Sequence, residues 1–265
     1  MGKLELLSDA LNYIEQHLTE ELNTEDIANY CFCSKSTIDK LFREINRISI
    51  HDYVIRRRLS LAAKKIATNP DKRIIDIAME YGYGSNEAFS RAFRNIWSCS
   101  PSEFRDKSRY TQVYPRLVAS YEYGGNEMRS KQVDISELYD LFKERKKCYF
   151  ICCDIQQMIP INNISRQAGD MAILEALRRM NEAAGEEDVV FRVGGDEFAM
   201  LTNSTDLSYA EKIRDQILSK NGEIIVFEGQ QIPLSLYAGI VSLKDRTVRY
   251  HDLFMQLQET INNSK

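Results

Sequence analysis

Two stretches of this chain repeat one another at an offset of 51 residues, and that repeat limits the fold more than any other feature. Residues 34–45 read Ser-Lys-Ser-Thr-Ile-Asp-Lys-Leu-Phe-Arg-Glu-Ile, and residues 85–96 read Ser-Asn-Glu-Ala-Phe-Ser-Arg-Ala-Phe-Arg-Asn-Ile. Serine opens both, an apolar residue follows four later, and Phe, Arg and Ile coincide; Ser49 and Ser100 continue the register. Each stretch reads as a helix. Ser34 and Ser85 suit the N-cap, where a hydroxyl accepts an otherwise unpaired amide of the first turn. Ile38, Leu41, Phe42 and Ile45 share one helical face, as do Phe89, Ala92, Phe93 and Ile96. A shorter helix precedes each, around residues 24–28 and 74–78, and contains a small residue, Ala28 or Ala78. A small side chain there lets two helices cross closely, which a helix-turn-helix requires. Gly82 suits a left-handed turn in the second unit. Phe32 stands near the equivalent place in the first, which makes that turn less orthodox.

Residues 50–68 join the two units and carry Tyr53, Leu59, Ala62, Ala63 and Ile66 as apolar markers. At 1.5 Å per residue a helix of about 18 residues spans about 27 Å. Such a rod suits two recognition helices held roughly 34 Å apart, one turn of DNA. Pro70 ends it, because proline cannot continue a helix interior. The net charge of −4 hides a split: residues 1–113 carry +1 and residues 114–265 carry −5. A DNA reader needs a local basic face, not a basic chain. Arg56, Arg57, Arg58, Lys64 and Lys65 are candidates for that face, against the alternative of a solvated helix surface.

No apolar run reaches the roughly 18 residues of a membrane span, and the first residues lack the apolar core of a signal peptide. These features place the expected protein in a bacterial cytoplasm, with no membrane partner. Six cysteines in no zinc-binding frame read as buried, reduced thiols.

The N-terminal pattern resembles the DNA-binding domain of the AraC/XylS family. The resemblance rests on residues 74–85 (Ile-Ile-Asp-Ile-Ala-Met-Glu-Tyr-Gly-Tyr-Gly-Ser), 89–94 (Phe-Ser-Arg-Ala-Phe-Arg) and 100–105 (Ser-Pro-Ser-Glu-Phe-Arg). It implies a tandem helix-turn-helix domain over residues 1–107, with both recognition helices of one monomer entering successive major grooves of double-stranded DNA. Carried over by position, the base readers are Ser36, Asp39 and Lys40 in the first helix and Asn86, Glu87, Ser90 and Arg91 in the second. An arginine reads guanine, and an asparagine reads adenine, through paired hydrogen bonds. Arg43 and Arg94 fall to phosphate contacts or structural roles. RNA polymerase is a plausible further partner for such a regulator.

Periodicity vanishes over residues 108–132, which read as a linker whose tyrosines could dock on either domain. Residues 133–265 have the texture of an α/β domain, giving two domains in all: an all-α tandem helix-turn-helix followed by a sheet flanked by helices. Residues 148–155 form an apolar run ending on Asp154, the look of a buried strand. Helices are expected over 168–184, 206–219 and 252–262, and strands over 189–193, 198–202, 223–227 and 232–243. The strands 189–193 and 198–202 make a hairpin around Gly194-Gly195-Asp196-Glu197. Two glycines allow a phosphate or base close to the backbone, and Asp154 could join the tip carboxylates to hold Mg²⁺ through oxygen ligands. A solvated acidic turn is the alternative.

Residues 191–201 (Phe-Arg-Val-Gly-Gly-Asp-Glu-Phe-Ala-Met-Leu) resemble the signature of the GGDEF, or diguanylate cyclase, family, which joins two GTP into cyclic di-GMP across a dimer. The resemblance implies Asp154, the Ile155 carbonyl, Asp196 and Glu197 at a metal, with Asp196 the catalytic carboxylate if the domain is active. It implies Asn162, Asp170, Gly194, Gly195 and Lys265 at a guanine nucleotide, Lys265 on its phosphates. The departures are as informative. Gln156 stands where the family has a second aspartate, and Ile159 where it has a phosphate-loop lysine. The Gly-His before Asp170 is missing, and the sequence ends at Lys265, before an expected Gly-Arg-Asn. Residues 185–188 read Gly-Glu-Glu-Asp without the arginine of the product-inhibition motif. Losing two cations that face a triphosphate should cost several kcal/mol, at roughly 1.5–3 kcal/mol for each charge-assisted bond. The expected protein is therefore a regulator whose degenerate GGDEF-like domain senses a guanine nucleotide, with Mg²⁺, or mediates a homodimer. A working cyclase fused to a DNA-binding domain and a purely protein-binding domain stay open.

Overall fold

Four serines start four helices of the N-terminal unit at the repeat spacing. Their hydroxyls accept amides from Thr37 (3.1 Å, on Ser34), Asp52 (3.0 Å, on Ser49), Ala88 (3.2 Å, on Ser85) and Glu103 (3.2 Å, on Ser100). At Ser100 the serine amide in turn donates to the Glu103 carboxylate (2.7 Å), closing a capping box. The structure, a computed structural model, describes residues 2–46, 48–97, 99–107, 113–119, 132–145, 148–242 and 250–265. The chain divides into two compact units, residues 1–134 and 135–265.

The first unit runs α1 (Lys3–Gln16), α2 (Thr24–Tyr30), α3 (Lys35–Asn46), α4 (Ile50–Thr68), α5 (Ile74–Glu80), α6 (Asn86–Trp97) and α7 (Pro101–Lys107). Strands β1 (Leu117–Val118) and β2 (Gln132–Val133) then pair antiparallel. The crossing pairs are α2 with α3 and α5 with α6. Helix α1 packs on the first pair and supplies Leu7, Ala10, Leu11 and Ile14 to its core, beside Ile27, Ile38 and Phe42. The second pair is held by aromatics: Phe93 stacks on Trp97 (4.3 Å between centroids) and meets Phe104 of α7 edge-on (5.3 Å).

The turns inside the two pairs are built alike. Cys33 donates to the Ala28 carbonyl and Tyr83 to that of Ala78, both at 3.0 Å. Phe32 (φ +52°) and Gly82 (φ +80°) take the left-handed position just before. These matches fall at an offset of 50, so the second unit carries one extra residue between its turn and its Ser85 cap. Phe32 is therefore the structural equivalent of Gly82, and it is 94% exposed.

The arginine run of α4 is a correction to the expected basic face. Arg57 is buried and grips Glu15 with two bonds (2.8 and 2.9 Å). It also donates to the Tyr114 carbonyl (2.7 Å). Arg58 donates to the carbonyls of Leu18 (2.8 Å) and Glu20 (2.6 Å). Arg56 lies over the Tyr114 ring, 4.8 Å from its centroid, and Lys65 pairs with Glu80. These groups face the protein's own carboxylates, carbonyls and rings, so their charge is spent on tertiary structure. Part of the expected linker docks here as well. Tyr114 donates its amide to the Ser60 hydroxyl (3.1 Å), and Leu117 donates its amide to the Tyr53 hydroxyl (3.1 Å). Arg116 reaches Asn12 (2.6 Å). The rest of that stretch, residues 108–112 and 120–131, lies outside the described residues.

The second unit runs α8 (Ser136–Glu144), β3 (Tyr149–Ile155), α9 (Met158–Ile164), α10 (Arg166–Ala183), β4 (Val189–Arg192), β5 (Glu197–Leu201) and α11 (Leu207–Leu218). It closes with β6 (Glu223–Phe227), β7 (Gln230–Leu234), β8 (Leu236–Ser242) and α12 (Tyr250–Asn263). A four-stranded antiparallel sheet has the order β4-β5-β3-β8, and β6 and β7 form a separate hairpin. Six of the seven residues of β3 are buried, which requires cover on both faces. The α10–α11 pair and the α8–α12 pair supply it.

The single strand expected over 232–243 is two strands that break at Ser235. Asn221 explains the break: its carboxamide accepts the Leu236 amide (2.8 Å) and donates to the Leu236 carbonyl (3.0 Å), as a strand neighbour would. Arg179 of α10 fixes the same corner. It is fully buried, pairs with Glu175 (2.8 Å) and donates to the carbonyls of Lys220 (2.8 Å) and Leu234 (2.9 Å).

Candidate nucleic-acid interface and carboxylate corner

Helices α3 and α6 each bury one stripe and expose the other. In α3 the buried stripe is Ile38, Leu41, Phe42 and Ile45; in α6 it is Phe89, Phe93 and Ile96. The opposite stripe of α3 carries Ser36, Lys40 and Arg43 in the open and Asp39 half-buried. That of α6 carries Asn86, Glu87, Arg91 and Arg94 in the open and Ser90 half-buried. Lys40 faces Glu44 loosely at 3.8 Å. Among the described residues, Arg43, Arg91 and Arg94 have no ion-pair partner, so their guanidinium groups are available to an outside anion or base. The packing that buries Phe42 and Phe93 is what turns these polar residues outward.

The second cluster lies at the end of β3. Asp154 and Glu197 are directly opposite one another in the β3–β5 ladder, and Ile155 donates its amide to the Asp196 carbonyl (3.1 Å). Asp154 is only 5% exposed. Burial pushes its carboxyl up to about 6, and the Asp196 charge adds to this; Lys265 opposes it, and Glu197 raises it further. The Lys265 ammonium lies 3.2 Å from Asp154 Oδ2. Gln258 donates to Glu197 Oε2 (2.6 Å). The Glu197 carboxylate folds across Gly194, where a Cβ would stand 2.1 Å from Oε2. Arg192 donates to the Gly195 carbonyl and steadies the loop from the other side. Gln156, in place of a second aspartate, donates to the Leu236 carbonyl (3.2 Å).

These residues do not fit a metal ion in this arrangement. Among the described residues, no three of His, Cys, Asp and Glu converge as a ligand set. The carboxylates of Asp154 and Glu197 are instead met by the ammonium of Lys265, just past α12, and the carboxamide of Gln258 on α12. Of the residues expected at a guanine base, Asn162 and Asp170 lie on the packed helices α9 and α10. Helix α9 packs on α10, and the Asn162 side chain lies against Gly169, where a Cβ would stand 2.0 Å from Oδ1. Asp170 is the next residue of α10 and is half-buried. Ile159 is 75% exposed where a phosphate-loop lysine was expected. Asp188, the remnant of the product-inhibition motif, is turned inward: its carboxylate accepts from Gly185 (2.8 Å), Tyr209 (2.6 Å) and Asn203 (3.0 Å).

Sequence reasoning missed Gln258 and the new role of Lys265, since their partners lie 61 and 111 positions away. It also expected all six cysteines to be buried, whereas Cys33 and Cys99 are half-exposed. Burial raises the Cys153 thiol to about 12, with the Asp154 charge adding to it. Among the described residues, no helix is long and apolar enough to cross a membrane.

Comparison with known proteins gives two family matches. A helix-turn-helix domain model matches residues 27–107, and the model of the diguanylate cyclase GGDEF domain matches residues 131–265. Regulatory protein SoxS of Escherichia coli (strain K12) is 34% identical over 107 residues, which are 40% of this chain and 99% of SoxS. The HTH-type transcriptional activator AarP of Providencia stuartii is 34% identical over 100 residues, 38% of this chain and 73% of AarP. Among solved structures, the GGDEF domain of YfiN (TpbB) from Pseudomonas aeruginosa matches with 25% identity and a TM-score of 0.40, covering 48% of this chain and 84% of that one.

Proposed function

The chain belongs to the GGDEF family through residues 131–265 and to the AraC-type helix-turn-helix regulators through its N-terminal unit, and on that premise we propose that it is a sequence-specific DNA-binding transcriptional regulator whose GGDEF domain binds a guanine nucleotide without cyclising it. The observation that carries the DNA half is the outward polar stripe on both α3 and α6, with unpaired arginines on a rigidly capped frame. Phosphate contacts would position the protein, and Lys40, Asn86 and Arg91 would read base edges in two major grooves. The α9–α10 pair, with Asn162 against Gly169 just before Asp170, supports the nucleotide half through the base. The ammonium at Asp154 and the exposed Ile159 argue against productive triphosphate chemistry with Mg²⁺. The proposal includes a homodimer formed through the second unit, with RNA polymerase as the partner on the promoter. A nucleotide acts on transcription only if it binds two states of the protein unequally.

A footprint of the full chain on a selected operator, with and without GTP and cyclic di-GMP, tests this reading. Two protected major grooves on one face, altered by a guanine nucleotide, are the expected result. Cyclic di-GMP made from GTP and lost in Asp196→Ala would overturn the non-catalytic assignment and favour the second reading, a working cyclase, for which the intact loop of residues 194–198 speaks. A footprint indifferent to millimolar nucleotide would leave a protein-binding domain.

A further inference from the structure

The GGDEF corner holds a cation already, and it is covalently part of the chain. We propose that Lys265, two residues past the end of α12, is the resident cation of Asp154 and thereby keeps this corner closed to divalent metal. The inference rests on the reading of residues 131–265 as a non-catalytic GGDEF domain.

Three observations meet here. Asp154 is a carboxylate 5% exposed at the end of an apolar strand, and such a group must be met by a countercharge or by hydrogen-bond donors. Among the described residues, the one cation at ion-pair distance is Lys265, at 3.2 Å. The neighbouring carboxylate, Glu197, is engaged from α12, the helix that leads to Lys265, through Gln258 at 2.6 Å. Gln258 lies on α12 and Lys265 two residues past its end, so this one C-terminal segment reaches both acids. The helix is seated firmly enough to do this. Leu253, Leu257 and Ile261 are fully buried beneath it. At Gly239 of β8 a Cβ would meet the Thr260 carbonyl at 3.2 Å, so a side chain there would press α12 a few tenths of an ångström off the sheet. An ammonium on a long stem neutralises one carboxylate and brings three donors, but it cannot gather several oxygens as a divalent ion does. This explains why the corner's carboxylates do not converge.

The test is Mn²⁺ uptake by the full chain without nucleotide, read from the electron paramagnetic resonance of free Mn²⁺. The wild type and Lys265→Arg, which keeps the charge, are expected to leave the ion free. Lys265→Met is expected to go from no detectable uptake to one ion per chain, and to lose it again when Asp154→Asn is added. Uptake by the wild type as tight as that of Lys265→Met overturns the proposal, as does a folded Lys265→Met that takes none. Lys265→Gln, which keeps a donor for Asp154, replaces the methionine variant if that one does not fold. If both neutral variants are unfolded, Mn²⁺ is expected to restore their melting transition, and failure to do so also overturns the proposal. Because no nucleotide is present, the outcome is independent of the footprint that tests the regulator reading.

Discussion

The guanidinium of Arg58 lies against Gly82, so close that a Cβ on that glycine would stand 2.9 Å from Nη1. The same side chain donates to the carbonyls of Leu18 and Glu20 beside the first helix pair. One residue of α4 therefore touches the backbone just before the first helix-turn-helix and the turn of the second. Gly82→Ala is expected to destabilise the N-terminal unit, since a left-handed non-glycine residue costs roughly 1–2 kcal/mol and Arg58 must also move. Urea unfolding followed by the fluorescence of Trp97, the only tryptophan, reads this directly. An unchanged midpoint would show that the turn and Arg58 tolerate a side chain there.

The equivalent substitution in the first unit runs the other way. Phe32 holds the left-handed position with φ +52° and is almost wholly exposed, so it packs on little that would be lost. Phe32→Gly is expected to stabilise the unit by roughly 0.5–1 kcal/mol, the relief of left-handed strain less the backbone entropy of glycine. A loss of stability would mean that the Phe32 ring makes a contact its exposure does not reveal.

Glu15 and Arg57 form the buried pair of the first unit, with side chains 11% and 4% exposed. Removing one partner strands the other charge in the interior. Glu15→Gln should therefore cost roughly 3–5 kcal/mol, far more than a surface pair would. The docked segment 113–119 should loosen with it, because Arg57 also holds the Tyr114 carbonyl. Hydrogen exchange of the Tyr114 and Leu117 amides, measured beside the unfolding curve, separates these effects; unaltered protection would break the link between the pair and the segment.

Glu80 gives the N-terminal unit an acid-sensitive clamp between α4 and α5. Hydrogen bonds from Lys65 and then Lys72 (2.6 Å) hold its carboxyl below the usual glutamate range, against the opposing effect of burial. A carboxyl depressed in the folded state stabilises fully above its unfolded value, near 4.5. That contribution is lost as pH falls through the lower, folded value. Wild type should exceed Glu80→Gln in stability at pH 7, and the gap should shrink as pH drops below about 4.5. A gap independent of pH would show that the carboxyl is not held by these lysines.

On DNA, Arg91→Ala and Arg94→Ala should differ in kind. If Arg91 reads a base as proposed, its loss should cost roughly 1–3 kcal/mol on the chosen operator and relax preference at one position. If Arg94 holds phosphates as proposed, its loss should weaken all sequences alike and flatten the salt dependence. Competition binding at several salt concentrations distinguishes them, and identical sequence profiles for the two variants would displace α6 from the groove.

Much of this was legible in the chain because the determining signals are local. Ser34, Ser49, Ser85 and Ser100 cap the helices they precede, and the stripes Ile38-Leu41-Phe42-Ile45 and Phe89-Phe93-Ile96 face inward as their spacing requires. The alternation around Gly194 and Gly195 likewise forms the β4–β5 hairpin. Repeat, cap and periodicity act within a few residues, so the sequence by itself determined which elements form and which face each buries. The tertiary structure alone decided what the charged residues meet. Arg57 reads as one of three basic side chains on a helix, yet its partner Glu15 lies 42 positions back. Lys265 reads as a phosphate ligand, yet it lies on Asp154. Long, flexible, charged side chains carry no periodic signal; the carboxylate each one finds is fixed only when the apolar faces have packed and brought distant segments within a few ångströms.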